Sequence, residues 1–195
     1  MNRIIVWGIA SAALIAFGLT QAGRQGMLGQ PPVEQISLGG PFTLVRGDGE
    51  TVTEADFAGG YTLVLFGYTF CPDICPTALA TVSGALDDLG EDATKLTVLF
   101  VTIDPDRDTP AVVGDYVASF HPRVVGLSGS AEQIAAMASI YHVYYAKAES
   151  GNTEDYLVDH SAALYLMGPN GQYLANFRLN ASVQELAAGL RDHLS

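Results

Sequence analysis

Positive charge is scarce in this sequence of 195 residues: 9 Lys and Arg stand against 21 Asp and Glu, a formal net charge of -12. A balance this acidic excludes an electrostatic grip on nucleic-acid phosphates, so no nucleic-acid partner is expected. Cysteine is scarcer still. Two are too few for a disulfide-dense scaffold, so whatever chemistry they carry, they carry as one pair. Charged residues make up 15% and apolar residues 49%, which excludes a disordered chain and can supply a sizeable core. The length suits one domain of ordinary size plus extra segments. Internal repeats, heptads and low-complexity tracts are absent.

Charge is also missing from Ile4 to Gly23. At about 1.5 Å per helical residue this run matches the roughly 30 Å hydrocarbon core of a bilayer. Arg3 precedes it, which would hold that end in the cytoplasm and send the rest outside. Residues 1–24 are therefore expected to be a single transmembrane anchor. The rival is an export signal, with Thr20-Gln21-Ala22 as a passable cleavage site. Either way the remainder is exported, and without Arg3 and Arg24 it carries 7 basic and 21 acidic residues, a net charge of -14. Residues 25–40, rich in Gly, Gln and Pro, read as a flexible linker, and 41–195 as the folded domain.

Within that domain the hydrophobic period alternates. Phe42–Val45 and Thr51–Thr53 flank a turn and predict a hairpin. Tyr61–Phe66 and Leu96–Ile103 are nearly continuous apolar runs, the mark of strands buried on both faces. Helices are expected over Thr77–Gly90, Pro110–Phe120, with Thr109 or Asp108 as cap, and Ala131–Ile140, and from Ser182 to about His193. Val124–Leu127 is a short strand, and His160–Met167 and Gln172–Phe177 form a second hairpin around Gly168-Pro169-Asn170-Gly171. The order of hairpin, β-α-β-α-β-α, hairpin and helix predicts an α/β, three-layer sandwich of thioredoxin-like outline, with the N-terminal β-hairpin added.

The chemistry concentrates in Gly67-Tyr68-Thr69-Phe70-Cys71-Pro72-Asp73-Ile74-Cys75-Pro76, in the loop after the first buried strand, where open α/β sheets place their ligands. Cys71 and Cys75 are four apart. On a helical turn they share a face, near enough to grip one ion or to close a disulfide. Free N–H groups at the helix start favour thiolate over thiol, and Pro72 and Pro76 stiffen the turn. As a purely structural disulfide the pair would restrain little chain entropy. Two sulfurs do not choose a metal. The natural third ligand is His160, because the strand it opens should lie in the same sheet and end near the cysteine loop. Two Cys and one His are too few protein ligands for structural zinc, which takes four. They suit copper, which accepts low coordination as Cu(I) and recruits a further ligand as Cu(II).

Three blocks, Cys71-Pro72-Asp73-Ile74-Cys75-Pro76, Asp104-Pro105-Asp106-Arg107-Asp108-Thr109-Pro110 and Tyr156 through Ser161, together resemble the signature blocks of the Sco/SenC proteins, over roughly Pro41 to Leu194. The resemblance implies a membrane-anchored, thioredoxin-like metallochaperone that delivers copper to the binuclear copper site of cytochrome c oxidase subunit II. Cys71, Cys75 and His160 match the family's ligands, and Asp159 its acidic residue beside the histidine, important for loading or transfer. Implied partners are subunit II, an upstream copper donor and a thioredoxin-like reductant. The implied location is the bacterial inner membrane with the domain in the periplasm, or the mitochondrial inner membrane facing the intermembrane space.

Plainer roles stand beside these. Asp159 also suits a solvent group at a strand end, Asp73 a loop or cap acceptor, and Asp108 and Thr109 helix caps, with Arg107 paired to a neighbouring acid. His121, His142 and His193 lack companion ligands. Tyr141, Tyr144 and Tyr145 read as sheet packing. A second function from another class is a thiol-disulfide oxidoreductase, with Cys71 or Cys75 as attacking thiolate, keeping the partner's cysteines reduced. Against it stand three residues between the cysteines where thioredoxins have two, and Val158-Asp159-His160-Ser161 where thioredoxin-like reductases place a cis-proline.

Overall fold

Two apolar runs become the two central strands. A computed structural model of the chain describes residues 38–148, 156–161 and 163–194. In it β3 (Tyr61–Gly67) pairs in parallel with β4 (Leu96–Thr102), Leu63 opposite Val98 and Leu65 opposite Phe100. Side chains alternate across a strand, so Leu63, Leu65, Val98 and Phe100 face one layer while Val64, Phe66, Leu99 and Val101 face the other. Both layers are cores, which is why these strands carry no polar alternation.

Around this pair lie β1 (Thr43–Arg46), β2 (Thr51–Thr53), β5 (Val124–Ser128), β8 (Ala163–Met167) and β9 (Tyr173–Arg178). The seven-stranded sheet runs in the order β2-β1-β5-β4-β3-β8-β9, with β8 and β9 an antiparallel hairpin. One face is covered by α1 (Ile74–Leu89), α2 (Pro110–Ala118) and α4 (Val183–Arg191), through Leu79, Val82, Val113, Leu186 and their neighbours. The other is covered by α3 (Ala131–Ile140), through Ile134, Met137 and Ala138. The layered α/β expectation and the N-terminal hairpin are thus met.

Local chemistry sets the helix ends. Thr109 Oγ1 accepts from the Val112 N–H, with Pro110 in the first turn. Ser130 with Gln133 and Ser182 with Glu185 form reciprocal capping boxes. Gly90, at a φ of 59°, ends α1 in a conformation that L side chains disfavour.

Three expectations are corrected. α1 starts at Ile74 and not Thr77, because Asp73 supplies the first helical carbonyl, to the Thr77 N–H at 3.2 Å, and Pro76 falls in the first turn, where a missing donor costs nothing. The run His160–Met167 is not one strand. Its start belongs to β7 (Val158–His160), which pairs with β6 (Tyr145–Lys147) in a separate two-stranded sheet, and only β8 joins the main sheet. His160 therefore reaches the cysteine loop from a small antiparallel arm. The tyrosine group also divides: Tyr141 is buried against Phe66 and Tyr165, while Tyr144 is 68% exposed.

Residues 1–24 and most of 25–40 lie outside the described residues. Among the described residues no helix is long and apolar enough to cross a membrane.

Candidate metal centre

Cys71 and Cys75 stand where β3 gives way to α1, and neither is in a disulfide. The Cys75 N–H donates to Cys71 Sγ at 3.4 Å, so the first sulfur sits over the start of the helix. Cys71 is half-buried and packs between the two cores. Cys75 is fully buried in one of them. Its sulfur lies so close to β3 that a Cβ on Gly67 would meet it at 2.8 Å, which is why the strand ends on glycine. Burial pushes the Cys75 thiol well above its ordinary range. For Cys75 the direction is thus opposite to the thiolate expected at a helix start, desolvation being the largest cause.

The loop carrying Cys71 is tied down from below. Asp108 is not a helix cap: its carboxylate accepts from the Thr69 N–H at 2.9 Å, the Thr69 hydroxyl and the Thr102 hydroxyl at 2.7 Å. With three donors satisfied, a fully buried carboxylate is sustainable, and it fixes the loop against the end of β4. Asp73 caps α1 with its backbone and makes no side-chain cap bond.

His160 approaches from β7. Its Nδ1 lies 3.0 Å from the Val158 carbonyl oxygen. A carbonyl only accepts, so Nδ1 carries a hydrogen, and in the neutral ring Nε2 is then the nitrogen with the lone pair. That Nε2 is buried and has no hydrogen-bond partner among the described residues. Buried polar atoms are seldom left so, and an imidazole nitrogen held in this tautomer is in the form that binds a metal. The ring meets Tyr68 edge-on at 6.0 Å, and the Tyr68 hydroxyl accepts the Val158 N–H at 3.3 Å.

Cys71 and His160 line one cavity of about 290 Å³, with Pro72, Asp73, Ile74 and Asp159 among its other walls. Asp159 is exposed, on the strand position between Val158 and His160. Cys75 lies behind Cys71 and is not part of the wall. Among the described residues no three His, Cys, Asp or Glu side chains are already gathered to hold an ion. The structure thus brings His160 to the cysteine loop, while a three-ligand grip would require the Cys75 sulfur and the imidazole to turn toward Cys71. Copper suits this donor set of two soft sulfurs and one free imidazole nitrogen.

Sequence reasoning missed the residues that join the two halves, Tyr68, Arg107 and Tyr156. Their only signal was their place inside the three sequence blocks.

A family model described as SCO1/SenC matches residues 30–195. The chain belongs to the SCO1/SenC family. A human relative described as a mitochondrial SCO1 homolog is 40% identical over 173 residues, covering 88% of this chain and 56% of its own length. The fold is similar to that of Arabidopsis thaliana ScoI solved with copper bound, at 42% identity and a TM-score of 0.75, covering 80% of this chain and 96% of that one. It is likewise similar to Bradyrhizobium japonicum ScoI, also solved with copper bound, at 42% identity and a TM-score of 0.74, covering 80% of this chain and 99% of that one. The chain spans about half the length of the first curated relatives it matches. The thioredoxin-like outline is therefore that of the Sco fold.

Proposed function

We propose that this SCO1/SenC protein is a copper metallochaperone that holds copper through Cys71, Cys75 and His160 and passes it by ligand exchange to the binuclear copper site of cytochrome c oxidase subunit II. The observation that carries this reading is the His160 Nε2, buried and unpartnered among the described residues, beside a cavity that Cys71 also lines. Copper-bound relatives at 42% identity support the choice of metal.

Transfer needs a site that holds its cargo and can be reached. Cys71, half-buried at the cavity, is the sulfur that an incoming ligand meets first, with Cys75 behind it. Exposed apolar side chains line the cavity, Ile74 at 51% and Leu157 at 49%, and Phe70, next to Cys71 in the chain, is 59% exposed. Such a rim suits contact with a partner protein. Asp159 borders the cavity and is read as an acidic group that assists loading or release. Anchorage by residues 1–24, with the domain exported, places the acceptor on the same side of the membrane. An upstream donor and a thioredoxin-like reductant complete the cycle, because both cysteines must be reduced to take metal.

The test mixes the copper-loaded full chain with the metal-free copper domain of subunit II. The expected result is growth of the acceptor's binuclear-copper absorption with matching loss from the donor. If the loaded chain delivers no copper, while in a second mixture the reduced, metal-free chain converts the acceptor's disulfide to two thiols and closes its own Cys71–Cys75 disulfide, the protein is instead the thiol-disulfide oxidoreductase, the second reading that its unbridged pair favours.

A further inference from the structure

The two halves of the candidate site come from distant segments, and one side chain touches both. Arg107 lies in the loop between β4 and α2. Its guanidinium carbon stands 4.7 Å from the centre of the Phe70 ring and 5.9 Å from that of Tyr68, both on the cysteine loop. It also stands 3.7 Å from the ring centre of Tyr156, four residues before His160. Its Nη2 donates to the Tyr156 carbonyl at 3.0 Å and its Nε to Asp104 Oδ2 at 2.6 Å. The other Asp104 oxygen accepts the Tyr156 hydroxyl. The Asp104 side chain is almost wholly buried, and Arg107 is only 16% exposed. Three groups thus close on one another, with each oxygen of the carboxylate committed. The residue after Arg107, Asp108, holds Thr69 of the cysteine loop.

We propose that Arg107 is a positioning residue for copper binding: in contact with both Phe70 and Tyr156, it sets the separation of the His160 arm from the cysteine pair. The function of the motif is then more than a turn. One five-residue stretch, Asp104 to Asp108, grips the sulfur side through Asp108 and the imidazole side through Arg107 and Asp104. A planar guanidinium can stack on two rings while donating sideways, which a lysine ammonium cannot. The inference rests on His160 being a ligand.

Its test is a double-mutant cycle on the full chain, with Cu(II) affinity and the Cu(II) spin-resonance spectrum as readouts. Arg107→Lys keeps a cation for Asp104 but loses the fork and the stacking. The expected loss of affinity is about tenfold, with weakened nitrogen hyperfine coupling. In a His160→Ala background the same change should cost less than about twofold, because there is no imidazole left to position. Equal losses in both backgrounds, or none in the parent, overturn the proposal. If Arg107→Lys fails to fold, Tyr156→Phe, which keeps the ring against Arg107 but removes the hydroxyl that bonds Asp104 and Lys147, is read in the same cycle by the same criteria. If His160→Ala alone leaves Cu(II) binding and spectrum unchanged, the ligand assignment itself fails and the proposal falls with it, an outcome distinct from additivity.

Discussion

The Tyr68 hydroxyl accepts the backbone N–H of Val158 at 3.3 Å, across 90 residues of sequence. Tyr68 sits three residues before Cys71, and Val158 two before His160, so this one bond fastens the loop that bears the sulfurs to the strand that bears the imidazole. Because Tyr68 is buried, the bond is shielded from competing water.

Removing the Tyr68 hydroxyl should therefore loosen the site more than the fold. Tyr68→Phe is expected to cost about 1 kcal/mol of stability, the ordinary worth of such a bond. Amide exchange across β6 and β7 should accelerate, while the main sheet stays protected. Uniform acceleration throughout the domain would contradict a local role.

The cysteines should respond differently to small changes around them. In Gly67→Ala the new Cβ would stand 2.8 Å from the Cys75 sulfur and from the Phe100 ring, both in the tight core. Overpacking of this kind costs about 1–3 kcal/mol. A fall in thermal stability together with weaker Cu(I) binding is expected. Parental affinity in a folded variant would show that the Cys75 sulfur need not stay where it is.

Copper binding should release protons. Burial holds the Cys75 thiol neutral, and a thiolate is the metal ligand, so loading must expel that proton. The sign follows: apparent affinity rises with pH, by up to about tenfold per unit for each proton released. Calorimetry in buffers of different ionisation heat measures the number directly. A pH-independent affinity between about pH 6 and 8 would exclude Cys75 as a ligand.

If the exposed rim is where the acceptor docks, charge there should slow transfer from a chain already loaded with metal. Ile74→Glu places a carboxylate on a side chain that is 51% exposed at the cavity edge. The expected result, measured with variant and parent both fully copper-loaded, is a transfer rate reduced about tenfold or more, as for other charged intrusions into an apolar interface. Equal transfer rates would move the docking surface elsewhere.

Much of this architecture was legible because each signal was local. Tyr61–Phe66 and Leu96–Ile103 announce doubly buried strands by composition alone, and Thr109, Ser130 and Ser182 mark helix starts by capping chemistry. Illegible features depended on partners far along the chain. The β-prone run from His160 to Met167 shows no break, because pairing with Tyr145–Lys147 on one side and with β3 on the other leaves no mark on periodicity. The spacing of Cys71 and Cys75 gave their shared face but not their different depths, which follow from Gly67 and Phe100. Asp108 looked like a cap, since an acid before a proline-led helix usually is one; only the folded chain brings Thr69 and Thr102 to it. Arg107 was expected to pair with an acid and does, but its three aromatic neighbours come from two other segments.

The most direct measurement is Cu(II) titration of the full chain, followed by optical and spin-resonance spectra, for the parent and for His160→Ala. One equivalent should bind the parent with sulfur-to-copper charge transfer and nitrogen coupling, and the variant should lose the nitrogen coupling and much of the affinity. Superimposable spectra and affinities would contradict the account at its centre.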